Sequence, residues 1–175
     1  MSLKNLISAF AATVMLISSA SMSAQSHYGS NPGLLISGSC DVSTLPQAAK
    51  KFLEKNFHDV NVKECEHEYL DAIYKGKLVN GVELEFANDG SVVEIEAAKR
   101  QTLQENIVKD VVPGKIYKHL KEKGLADDVE SIEYEKGKVI EVDVAIKGPD
   151  TFMYDLDGNF LIIKDRYLLM GLAIQ

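Results

Sequence analysis

Cys65 and His67 stand two residues apart, with Glu64, Glu66 and Glu68 around them, and this is the densest set of potential metal donors in the chain. On a strand the cysteine and histidine share one face, and two ligands on one strand fall short of the three or four that a zinc site needs. A core pair accounts for them better. A second motif, Asp155-Leu156-Asp157-Gly158-Asn159, opens like a calcium loop, yet Arg166 stands at the twelfth position, where such a loop needs a glutamate. A turn between strands explains that run. His27, His58, His67 and His119 are scattered, and no serine or cysteine sits in a nucleophile elbow. The sequence therefore predicts no catalytic residue, no metal ligand set and no cofactor, and the chain is not read as an enzyme.

What remains is carboxylate in strand-like alternation. Val82, Leu84 and Phe86 fall on one side of a strand and Glu83 and Glu85 on the other; Val93 and Ile95 oppose Glu94 and Glu96 in the same way. Ile132 and Tyr134 likewise oppose Glu133 and Glu135, and Val142 and Val144 oppose Glu141 and Asp143. Lysines crowd the predicted helices at 50, 51, 55, 115, 118, 121 and 123. The expectation is an acidic open sheet face and a basic helical back. Exposed strand faces must carry some polar residue, and Lys75 and Lys77 make cross-strand pairing a rival explanation for the glutamates.

The elements that would carry these residues occur twice. Leu45-Pro46 opens a helix, strands follow, and the last hairpin turns on Asn88-Asp89-Gly90; Val112-Pro113 opens another helix, whose strands end with a turn at Asp157-Gly158. Pro46 to Pro113 is 67 residues, while Phe86 to Tyr154 and Gly90 to Gly158 are each 68. Ala49, Phe52, Leu53 and Phe57 make the apolar stripe of a first helix over 46–57. Strands are predicted at 60–69, 72–79, 82–87 and 91–96, with Asn80-Gly81 as the strongest hairpin signal. A short helix is expected within 97–111. A second helix over 113–123, ended by Gly124, precedes strands at 129–135, 139–146, 151–156 and 159–164. The predicted fold class is α+β: two tandem modules, each a helix plus a four-stranded antiparallel meander, joined in one curved sheet with the helices on one side.

The ends are different in kind. Lys4, the apolar run 6–17 and the small residues of 18–24 read as a secretory signal peptide over 1–24. Residues 25–42 have loop composition, 43–97 and 112–165 are the two modules, 98–111 is a linker, and 166–175 is an apolar C-terminal segment expected to pack as an added strand or helix. The net charge of −7, one unit more negative once Lys4 leaves with the leader, excludes nucleic acid and anionic membrane surfaces as natural partners. Cys40 and Cys65 would meet an oxidising compartment, and the sequence leaves open whether they bridge or stay as two unpaired thiols.

The ordered set Leu45-Pro46, Phe52, Phe57, Tyr74, Asn80-Gly81, Glu83-Leu84-Glu85-Phe86 and Asn88-Asp89-Gly90 resembles the PepSY-like family of secreted bacterial proteins, whose fold is that of the beta-lactamase inhibitor protein. Val112-Pro113, Ile116, Leu120, Gly148, Tyr154-Asp155 and Asp157-Gly158 carry the resemblance in the second module, so that it spans about residues 43–164. Val142 stands where the first module has Tyr74, and Gly148-Pro149 where it has Asn80-Gly81. The leader, with no second hydrophobic segment of spanning length after it, predicts a periplasmic or secreted protein with no membrane association after cleavage, and the resemblance implies a bacterial one. It also implies a curved sheet whose open face clamps a partner, as inhibitors of that fold do. The partner expected from the residues is an envelope or extracellular protein or peptide of basic character, docked on Glu83, Glu85, Glu94, Glu96, Glu133, Glu135, Glu141 and Asp143. A carrier or sensor of a small ligand or cation is the alternative.

Overall fold

The computed structural model describes residues 37–135, 137–146 and 148–165. The signal peptide, most of the predicted lead-in and the apolar C-terminal segment lie outside them. The described chain is α+β. A short strand β1 (Ser37–Ser39) and a 3₁₀ turn (Val42–Thr44) precede helix α1 (Gln47–Asn56), after which come β2 (Val62–Glu68), β3 (Ile73–Leu78), β4 (Glu83–Ala87) and β5 (Val92–Glu96). Helices α2 (Glu105–Val111) and α3 (Gly114–Lys123) lead to β6 (Val129–Glu135), β7 (Val139–Ile146), β8 (Gly148–Asp155) and β9 (Phe160–Asp165). All nine strands form one antiparallel sheet in chain order.

Each long helix starts behind a proline that lends its fixed φ and gives up an amide with no helical partner. Gly124 closes α3 at φ 70°, a left-handed position that costs a glycine little, and its N–H reaches the carbonyls of Leu120 and Lys121. Two hairpin glycines set the helices on the sheet. A side chain on Gly90 would come within 2.7 Å of the Ala49 backbone nitrogen and 3.0 Å of Pro46, and one on Gly158 within 3.1 to 3.3 Å of Lys115, Ile116 and Pro113. Both glycines also hold positive φ, so these two turns have a second reason to be glycine.

A single apolar core lies between helices and sheet, joining Ala49 and Phe57 of the first half to Ile116 and Leu120 of the second. From the strands it takes Leu84, Phe86, Ile95, Ile132, Val142, Val144 and Tyr154, all buried. The expected partner of these, Val93, is not among them. Glu85 pairs with Glu94 but Phe86 with Val92, so Val93 is the extra residue of a β-bulge, and Val92 takes the core-side place. Leu161 is the extra residue of a second bulge, between the pairs Met153–Ile162 and Tyr154–Phe160. Strict alternation fails at such points because one strand carries two residues against one.

Two further elements differ from expectation. Ser37–Ser39, inside the stretch read as loop, pairs with Glu66–Glu68 as the edge strand β1. Strand β8 begins at Gly148, earlier than the predicted 151, because Ala145–Pro149 and Ile146–Gly148 continue the ladder through the proline. Proline is tolerated where its missing donor would not be used. Cys40 and Cys65 are joined in a disulfide, their Cα atoms 5.1 Å apart, and the Cys40 N–H donates to the Cys65 carbonyl. The bridge fastens the start of the fold to β2.

Candidate functional site

The helices cover one face of the sheet, and the other carries two cross-strand rows. One runs Glu66, Lys75, Glu85, Glu94, Glu133, Glu141, Met153, Ile162; the neighbouring row runs Glu64, Lys77, Glu83, Glu96, Ser131, Asp143, Thr151, Lys164. Register places all eight predicted acids on this face, with Glu135 two residues beyond Glu133 on β6. Within the first row Glu85, Glu94, Glu133 and Glu141 stand directly opposite one another on four adjacent strands. At the usual strand spacing of about 4.8 Å they span about 14 Å. Like charges directly opposite destabilise a sheet.

The acids divide by their partners. On the first flank the Lys75 ammonium sits 2.9 Å from Glu85 and 3.1 Å from Glu68, and Lys77 pairs with Glu83. These carboxylates push the Lys75 pKa well up, Glu85 the most. On the second flank Lys164 pairs with Glu141, while Ser131 and Thr151 donate hydroxyl hydrogen bonds to Asp143. Between them, on the middle strands β5 and β6, the side chains of Glu94, Glu96, Glu133 and Glu135 make no hydrogen bond or ion pair among the described residues, although the Lys75 charge partly offsets the rise at Glu94 and the Lys164 charge that at Glu133. Burial, then the Glu85, Glu133 and Glu96 charges, push the Glu94 carboxyl up to about 6. Glu133 is also raised, by burial first and then by Glu141, Glu135 and Glu85. The centre of the face is thus a strip of carboxylate side chains with no ion pair among the described residues.

Beside the strip, over β1 to β5, lies an open trough of about 440 Å³ with Leu84 and Gly76 in its lining and Lys75, Lys77, Glu94 and Glu96 around it. Cys65 is bridged and so cannot serve as the thiolate half of a metal pair with His67. The His67 ring instead stacks on Tyr74, centroids 4.0 Å apart, and its Nε2 is buried without a hydrogen-bond partner. Asp155 of the loop-like run caps its own turn, accepting from the backbone N–H and side-chain amide of Asn159, each at 2.8 Å. No group of three His, Cys, Asp or Glu is placed to hold a metal ion among the described residues.

Sequence alternation found the acids but not their compensation. That Lys164 reaches Glu141, and that Ser131 and Thr151 reach Asp143, depends on register across β6 to β9. The signal nearest to it was the 68-residue period, which places β8 and β9 where β4 and β5 had been read.

Residues 37–94 and 72–162 match, in two overlapping copies, the family described as "Putative beta-lactamase-inhibitor-like, PepSY-like". The chain belongs to that family. Among solved structures it is similar to a "putative calcium-regulated periplasmic protein" of Bacteroides thetaiotaomicron, at 25% identity and TM-score 0.61, covering 73% of this chain and 96% of that one. A "putative periplasmic protein" of Bacteroides vulgatus is similar at 27% identity and TM-score 0.62, again over 73% and 96%. No curated protein matches the chain. The PepSY-like chain is, like these neighbours, a periplasmic or secreted protein. No helix among its described residues is long and apolar enough to cross a membrane.

Proposed function

We propose that this PepSY-like protein is a non-enzymatic binding module of the cell envelope that docks a basic protein or peptide on its open sheet face. The observation that carries this is the strip of Glu94, Glu96, Glu133 and Glu135, without an ion pair among the described residues and in register with Glu85 and Glu141. Lysine or arginine side chains laid over the strip would relieve repulsion that the unbound sheet must bear, so that binding gains both the new pairs and the lost strain. Inhibition of an envelope enzyme is one form such docking would take, and the family description favours it.

The framework for the strip is two copies of a helix-and-four-strand module. Supporting this, Gly90 and Gly158 press against the starts of α1 and α3 in the same way, and the bulges at Val93 and Leu161 recur at the same 68-residue spacing. Reuse of one module would bring two acidic strand pairs together, β4–β5 from one copy and β6–β7 from the other.

Capture from a native envelope fraction tests the reading. The wild-type chain should retain a stoichiometric basic partner at low salt and release it as salt rises, since the Debye length falls to about 8 Å at physiological strength. Replacing Glu94, Glu96, Glu133 and Glu135 together by Gln should abolish capture, whereas Lys51→Glu with Lys118→Glu, on the helical back, should leave it intact. Capture unchanged by the four glutamine replacements would reject the acidic face. A second reading, a carrier or sensor of a cation, is favoured by the "calcium-regulated" description of the Bacteroides thetaiotaomicron neighbour. Calcium titration by calorimetry separates the two, because a docking face for basic protein has no need of saturable stoichiometric calcium.

A further inference from the structure

The two edges of the sheet are unlike. Strand β1 is three residues of Ser-Gly-Ser, short and polar, the form in which natural sheets blunt an edge against further pairing. Strand β9 is six residues long, and Phe160, Leu161, Ile162 and Ile163 are 45, 51, 56 and 42% exposed in succession. On the helix side Phe160 is held in an aromatic cluster with Phe152, Tyr154 and His119, at centroid distances of 6.2, 5.9 and 5.2 Å. The edge is therefore fixed in place as well as apolar. No described strand pairs with its outer side. Nothing over Phe160–Ile163 supplies the charge, proline or shortness that usually protects such an edge.

The geometry points to β9 as a strand-acceptor site for an extended apolar segment, whose occupant is this chain's own residues 166–175. Those ten residues follow β9 without interruption, and 167–174 read Tyr-Leu-Leu-Met-Gly-Leu-Ala-Ile, with no charge among them. Being tethered directly to the edge, they reach it at an effective concentration in the millimolar range, far above that of a second copy or a foreign strand at ordinary protein concentration. Backbone pairing along β9 would satisfy its outward N–H and C=O groups, while alternate side chains cover Phe160 and Ile163 on one face and Ile162 on the other. The site is separate from the acidic strip and does not rest on it.

Hydrogen exchange on the purified mature protein tests this. In dilute, monomeric wild-type protein the β9 amides that point away from β8 should exchange as slowly as those of β8. Leu169→Asp with Leu172→Asp should speed β9 exchange by on the order of 100-fold while β2 to β7 keep their protection, which also shows that the variant is folded. A synthetic peptide of residues 166–175 added to that variant should restore protection to β9. Fast exchange of those outward amides in the wild-type monomer, or their protection surviving the double replacement, would overturn the assignment. Protection that appears only as protein concentration rises would assign the edge to a second copy instead, and would equally overturn it.

Discussion

The flank of the open face over β2 to β4 and its centre over β5 and β6 are built from the same residue type and behave oppositely. On the flank, glutamates alternate with lysines across the strands, and Lys75 alone holds Glu68 and Glu85. At the centre, Glu94 and Glu133 meet only other carboxylates across the ladder. Cross-strand pairing is thus a complete account of the flank and no account of the centre. The difference confines the carboxylate side chains without an ion pair among the described residues to two strands, and separates charge that is paired within the fold from charge that is not.

The flank also carries the covalent tie, so the largest expected effect lies there. Replacing Cys40 and Cys65 by serine frees a loop whose ends are 25 residues apart, and should lower unfolding free energy by about 3.5 kcal/mol on the chain-entropy account. Urea denaturation of the oxidised wild type against the double variant measures it. A loss below about 1 kcal/mol would mean that the β1–β2 edge frays independently of the rest, and that the flank is not one cooperative unit with the centre.

How far the sequence foretold this contrast depends on the residue. Glu83, Glu85, Glu94 and Glu96 were legible because valine, leucine, phenylalanine and isoleucine alternate with them, and strand pairing through short turns at Gly81 and Gly90 leaves little choice of register. Glu94 opposite Glu133 was not legible. Those strands are joined through α2 and α3, and no turn chemistry fixes their register; burial of Ile95 against Ile132 does. Val93 was misplaced because a bulge breaks the period of two with no glycine or proline to announce it. The strand at Ser37–Ser39 has no β-propensity of its own, and exists because β2 offers it an edge beside the disulfide.

At the centre the next effect has the opposite sign. Because the Glu94 carboxyl is raised to about 6 in the folded chain, the folded state holds its proton more tightly than the unfolded state. Its stabilising contribution is therefore greatest below about pH 4.5 and is lost as pH rises through about 6. Glu94→Gln should stabilise the protein at pH 7 by about 1 kcal/mol, discounted for the exposed half of the side chain, and should flatten the fall in stability between pH 4.5 and 6. Thermal unfolding across that range reads both. Equal stability of variant and wild type at pH 7 would show that the centre bears no repulsion, and the contrast with the flank would fail.

The smallest effect probes the border between the two regions. Lys75 is the last cation before the strip, its ammonium bound to Glu85, which stands directly opposite Glu94. Lys75→Met removes two partly exposed ion pairs and so should cost only about 0.5 kcal/mol at pH 7, near the lower end of what such pairs contribute. Its more informative consequence is at a distance. With Lys75 gone, Glu85 joins the carboxylates without an ion pair, its repulsion of Glu94 is no longer offset by the lysine, and the Glu94 pKa should rise further, as carboxyl chemical shifts followed through a pH titration would record. The same change extends the acidic strip by one strand, so capture of a basic partner should tighten at low salt even as the free protein becomes slightly less stable. A variant that loses stability without tightening capture would mean that Lys75 belongs to the docking surface, and that the flank, for all its internal pairing, is part of what the partner touches.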